Sequence, residues 1–155
     1  MTSSREQKWF FKTMCGGLAL FVVVLGSNVA HAHKGATGVV KERMDLFTQN
    51  QKHLKAMRRL VAADNFAAIA EKADEIADFA DRMPDYFPVG SDQSPSDAAP
   101  RIWQEFDAFR SAAAANATAA RLLADAARAA DKTAVMEALS ATGASCKSCH
   151  RSFKN

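Results

Sequence analysis

Near the C-terminal end of this 155-residue chain stand two cysteines and a histidine, in the run Cys146-Lys147-Ser148-Cys149-His150. On a helix, Cys146, Cys149 and His150 are three and four residues apart and share a face. Two thiols so placed can reach two vinyl groups on one edge of a porphyrin. The histidine that follows then brings an imidazole nitrogen under the iron. The pattern reads as a c-type haem attachment site. Cys146 and Cys149 are the expected covalent anchors of one haem c, and His150 is the expected axial iron ligand.

Three other readings compete. A thioredoxin-like redox pair needs a strand-helix-strand surround, and the sequence offers no alternating strand pattern. A zinc site needs about four nitrogen or sulfur ligands, and only His33 and His53 could add to these three. The third reading is a chance match in an exported helix. The motif, the helical context and the N-terminus together favour haem over all of these. Arg5, Lys8 and Lys12 precede an apolar run from Met14 to Leu25, and Ala30-His31-Ala32 supplies small residues where a signal peptidase reads. This predicts a cleaved signal peptide over residues 1–32 and a mature domain over 33–155. An uncleaved anchor is the alternative, but the run is short for a bilayer.

The cut reshapes the composition. Arg5, Lys8, Lys12 and Glu6 leave with the leader, so the chain's net +3 falls to about +1. Little charge is left to recruit nucleic acid or an acidic partner. Cys15 leaves as well. The two remaining cysteines, three apart on a helix, are poorly placed for a structural disulfide.

The elements that must position the site are helices. Alanine is abundant while Gly and Pro number only 7 and 4, a mix that favours helix. Apolar residues recur at three and four over four segments. The first spans about 37–63, with Val40, Phe47, Leu54, Met57 and Val61 on its stripe and Arg43 and Asn50 as polar members. The second spans about 65–82, with Asp64 as its expected cap. The third runs from Pro100 to about Ala130, and the fourth from Lys132 to Phe153 with Asp131 as cap. Pro84, Pro88, Gly90 and Pro95 make 83–99 the longest loop. Short connections elsewhere set successive helices antiparallel. An all-α, up-down-up-down four-helix bundle follows. Asn116-Ala117-Thr118 matches a glycosylation acceptor, read as a chance match on a helix face.

With these residues in view, the mature chain resembles the cytochrome c prime family, exported four-helix bundles with a haem motif late in the last helix. The resemblance rests on Val40-Lys41-Glu42-Arg43, on Pro100-Arg101-Ile102-Trp103, and above all on the segment Gly143 to His150. It implies that Arg43 reaches a haem propionate and that Phe47, one turn on, lies over the open face of the iron. Phenylalanine has no lone pair, so the iron is expected five-coordinate. A related branch resembles cytochrome c556, in which a methionine is the sixth ligand. Met44 is the methionine nearest that position, about 60° round the helix from Phe47. The family commonly has Gln at position 44 and Arg at position 154. Here Met44 and Lys154 stand instead, and Lys154 is placed beside the proximal histidine. Asp97 is a further haem-pocket candidate, where the long loop nears the haem edge, and Trp103 packs near the haem or simply between helices.

The function expected from this is a periplasmic haem protein that binds nitric oxide or carbon monoxide and cycles between ferric and ferrous iron. An apolar distal side offers oxygen no hydrogen bond. The alternative is a six-coordinate, cytochrome c556-like electron carrier with an unidentified periplasmic redox partner. An enzyme is not expected, since the distal stripe carries no histidine. His53 lies about 120° off it. A homodimer through the first two helices is implied by the family, with Leu46 and Leu60 as exposed apolar candidates. No membrane contact is expected once the leader is removed.

Overall fold

The computed structural model describes residues 35–155. The expected leader over 1–32, Cys15 and the start of the mature chain at His33 lie outside the described residues. Four long helices form the bundle: α1 (Gly38–Ala62), α2 (Phe66–Arg82), α4 (Phe106–Arg128) and α5 (Lys132–Phe153). A 3-10 turn (Met83–Tyr86) follows α2, and a four-residue helix, α3 (Arg101–Gln104), precedes α4. The described residues contain no strand, only one isolated bridge between Ala98 and Lys154. None of the described helices is long and apolar enough to cross a membrane.

The two tight connections use one device. At the end of α1, Asp64 takes φ 51°, its N–H bonds to the Val61 carbonyl, and Asn65 N–H reaches back to Leu60 O at 3.0 Å. At the end of α4, Ala130 takes φ 54°, its N–H bonds to Ala127 O, and Asp131 N–H reaches Ala126 O at 3.1 Å. Each is a Schellman closure, in which a left-handed residue lets the chain satisfy the last carbonyls. The next residue then caps the following helix. Asn65 Oδ1 accepts from Ala68 N at 3.2 Å and Asp131 Oδ1 accepts from Ala134 N at 3.0 Å. The expectation for Asp131 holds, whereas that for Asp64 is corrected. Asp64 is used one step earlier, in the left-handed position, and its carboxylate pairs with Lys132 at 2.7 Å.

A second correction concerns the third segment, expected as one helix. It breaks at Glu105 (φ −128°, ψ 51°). Ile102 is buried, and the Trp103 indole N–H is shared between the carbonyls of Phe87 and Pro88 at 3.0 and 3.1 Å. Fastening the long loop in this way turns α3 off the axis of α4.

The core has two halves. Away from the cysteines, Met57, Ile69, Ile76, Leu123 and Val135 pack as an aliphatic cluster. Toward the cysteines the packing turns aromatic, with Phe79, Phe87, Phe109 and Phe153. Their rings meet edge to face, Phe87 on Phe109 at 4.8 Å and Phe109 on Phe153 at 5.4 Å, the arrangement that ring quadrupoles favour. Buried Ala113, Ala117, Ala120 and Ala124 line α4, and side chains this small let its neighbours approach. Leu46 and Leu60, expected exposed, are half-buried. Leu46 packs on the aromatic half and Leu60 on the aliphatic half.

Candidate functional site

The aromatic half opens into a cleft of about 350 Å³ between α1, the long loop and the end of α5. Arg43, Met44 and Phe47 line it from α1, Asp97 from the loop, and Cys149, His150 and Lys154 from the end of α5. Seven of the eight predicted site residues thus surround one space. They come together because α1 and α5 each turn one face toward it and the loop folds across their ends. The exception is Cys146, one helical turn before His150, which lies half-buried at the seam between α4 and α5.

Phe47 and His150 meet edge to face, with ring centroids 6.2 Å apart and planes at 69°. Phe47 is held in place by Phe79 at 5.0 Å and Phe87 at 6.4 Å, both edge to face. His150 is held below its ordinary pKa by partial burial and by the charge of Lys154. Its imidazole is therefore neutral near pH 7, with a nitrogen lone pair free to bind a metal. Burial pushes the Cys149 thiol up to about 11, with the neighbouring Cys146 adding to the rise. Burial raises Cys146 too, but the hydrogen bond from Asn116 offsets part of the change.

Lys154 and Asp97, predicted independently, form an ion pair at 2.9 Å. Around it the loop is sewn to the C-terminus. Ala99 N–H bonds to Phe153 O at 3.0 Å, and Asn155 N–H to Asp97 O at 2.9 Å.

Arg43 is buried, and its guanidinium is spent largely on the loop. Nη1 donates to Tyr86 O at 3.0 Å and to Ser91 Oγ at 2.7 Å. Nη2 donates to Ser91 O and to Ser96 Oγ. The cation also sits 4.3 Å above the Phe87 ring. Burial lowers its pKa, opposed by Asp92. The arginine that family resemblance assigns to a propionate is thus at the rim of the cleft, with its terminal nitrogens already bonded to the loop.

Sequence reasoning missed Phe87 and Ser96, which line the cleft, and Asn116, which bonds Cys146. No local signal marks them, because each acts across a long separation in sequence. Asn116 is 4% exposed, so the glycosylation match is closed to a glycan in the folded chain. His53 is buried on α1 and bonds to Glu75 of α2 at 2.9 Å and to Gln49 at 3.2 Å.

The donor set fits a haem. One helix carries two thiols and a neutral imidazole, the imidazole opens on a cleft walled by aromatic rings, and cationic Arg43 and Lys154 stand at the rim. The fold and site together define an all-α four-helix bundle built to hold a prosthetic group. Residues 38–154 match the family model described as Cytochrome C', and the chain belongs to the cytochrome c′ family of haem proteins. It is 31% identical to a cytochrome c′ of Rhodospirillum rubrum over 88% of this chain and 95% of that one. It is 34% identical to a cytochrome c-556 of Agrobacterium fabrum, over 77% of this chain and 82% of that one. A similar solved structure is the nitric oxide complex of a cytochrome c prime variant from Alcaligenes xylosoxidans. The two share 26% identity at a TM-score of 0.67, over 76% of this chain and 93% of that one.

Proposed function

We propose that this chain is an exported c-type haem protein with a five-coordinate iron that binds nitric oxide or carbon monoxide and exchanges electrons. One haem c is attached through Cys146 and Cys149, with His150 as the axial ligand. The haem, when bound, supplies a one-electron redox centre and a coordination position for a diatomic ligand. Phe47 carries the reading: its ring lines the cleft beside His150, in edge-to-face contact at 6.2 Å, and has no atom to donate to a metal. It narrows the distal side without filling the coordination position. It also offers no hydrogen bond, so ligands that need none are favoured. The nitric oxide complex of the Alcaligenes xylosoxidans relative supports this ligand class.

The remaining residues hold the cleft in shape. The Lys154–Asp97 pair closes its edge, and Arg43 pins the loop while standing where a propionate would reach its rim. Phe47 packs against the apolar rings of Phe79 and Phe87, which favours a binding and electron-carrying role over an enzymatic one. The leader expected from the sequence over residues 1–32 supports a periplasmic location, where the redox partner is also to be sought. A homodimer through α1 and α2 fits the family, although the half-buried Leu46 and Leu60 leave less apolar surface for it than their sequence positions implied.

A six-coordinate electron carrier is the second reading. It is favoured by Met44, which lines the same cleft, and by the similarity to a cytochrome c-556. Stopped-flow carbon monoxide binding to the ferrous protein separates the two. The five-coordinate reading expects binding in the parent and about tenfold faster binding in Phe47→Ala, a barrier lower by ~1.4 kcal/mol. Absence of binding in the parent, restored by Met44→Ala, would establish the second reading.

A further inference from the structure

Asn116 of α4 is a buried polar side chain in a stretch of helix that is otherwise mostly alanine. Its amide Nδ2 lies 2.8 Å from Ser145 Oγ and 3.3 Å from Cys146 Sγ, both on α5. The direction of these bonds is fixed by Ser145. A serine hydroxyl has one proton, and Ser145 donates it to Thr142 O at 2.8 Å. Ser145 Oγ must therefore accept, and the amide group facing it must be the donor NH2 rather than the carbonyl oxygen. With one N–H on Ser145, the second is aimed at the sulfur of Cys146.

This orientation matters for the chemistry of attachment. Cys146 Sγ adds to one carbon of a vinyl group, and the proton goes to the neighbouring vinyl carbon. One C–S bond replaces the vinyl π bond, and nothing is oxidised or reduced. The attacking thiolate and the product thioether both have sulfur lone pairs and no S–H. An N–H suits both states, and a carbonyl oxygen in the same place would oppose both. Among the described residues no side-chain N–H meets Cys149 as Asn116 meets Cys146, so the two cysteines are not equivalent.

We propose that Asn116 is a positioning residue for haem attachment at Cys146, presenting an N–H to the sulfur before and after the carbon–sulfur bond forms. This rests on the covalent-haem reading above and goes beyond it by assigning a role on α4, outside the attachment motif.

The test compares the full chain with Asn116→Leu and Asn116→Asp, matured in a host that attaches haem c. Leucine keeps the branched outline and loses the donor, while aspartate keeps the shape and sets oxygens against the sulfur. Free thiols are alkylated, and peptide mass spectrometry reads haem bound through both cysteines against haem bound through Cys149 alone. The singly linked share should rise about fivefold or more in both variants, the scale of one lost hydrogen bond. The pyridine haemochrome band should move to longer wavelength as a vinyl group is left unsaturated. Leu123→Ala, a core change in the same helix, should lower the melting temperature without altering that share. Doubly linked haem at the parent level in both Asn116 variants would overturn the inference and leave the haem reading intact. A parent chain with no covalently bound haem would overturn both. If neither variant yields folded protein, solvent exchange of the Asn116 side-chain amide in the parent holoprotein decides. Slow exchange is expected, and exchange at the free-amide rate would overturn the proposal.

Discussion

At the residue scale, Arg43 and Lys154 each serve two neighbours. Arg43 joins α1 to the long loop through four hydrogen bonds and a ring contact. Removing the guanidinium leaves buried loop acceptors unpaired, at about 2 kcal/mol or more. Arg43→Met should therefore destabilise even the haem-free protein by that amount in urea unfolding and expose residues 88–96 to proteolysis. A duty confined to a propionate would leave the haem-free protein unchanged. Lys154 lowers the pKa of His150 while pairing with Asp97. In the haem-free protein, Lys154→Gln removes one of two causes of that lowering. The imidazole should then titrate at higher pH, closer to its ordinary value, in an NMR pH series. The attachment motif was legible in the sequence because it is contiguous and its spacing is a helix face. Phe87, Ser96 and Asn116 were not, because they meet the site only through tertiary packing.

At the element scale, both tight turns place a residue other than glycine in the left-handed region. For an L-residue this costs about 1–2 kcal/mol. Ala130→Gly should remove most of that strain and raise the stability by about 1 kcal/mol, read as a higher denaturation midpoint. Asp131→Ala should lower it by about 1 kcal/mol through loss of the cap to Ala134. The helices were legible because apolar residues recur at three and four along each. The Schellman closures were not, since glycine is their usual marker and Asp64 and Ala130 stand there instead. The break at Glu105 was hidden for a related reason. Ile102, Phe106 and Phe109 keep a helical spacing straight across it, and only the Trp103 bonds to the loop show why the chain turns.

At the scale of the whole molecule, the division into aliphatic and aromatic halves follows from what each must contact. The aliphatic half packs away from the cleft. Met57→Ala there should cost about 2–5 kcal/mol, whether or not haem is bound. The aromatic half surrounds the cleft and relies on what fills it. Replacing Cys146 and Cys149 together by Ala should abolish acid-resistant haem and lower the melting temperature toward that of the haem-free parent. Haem that survived acid-acetone extraction in that variant would contradict the attachment reading. The central claim, a five-coordinate iron beneath Phe47, is tested most directly by the absorption spectrum of the purified ferrous protein before and after nitric oxide is added. The account predicts a high-spin, five-coordinate spectrum that changes on addition. A low-spin, six-coordinate spectrum indifferent to nitric oxide would contradict it and point to Met44 as the sixth ligand.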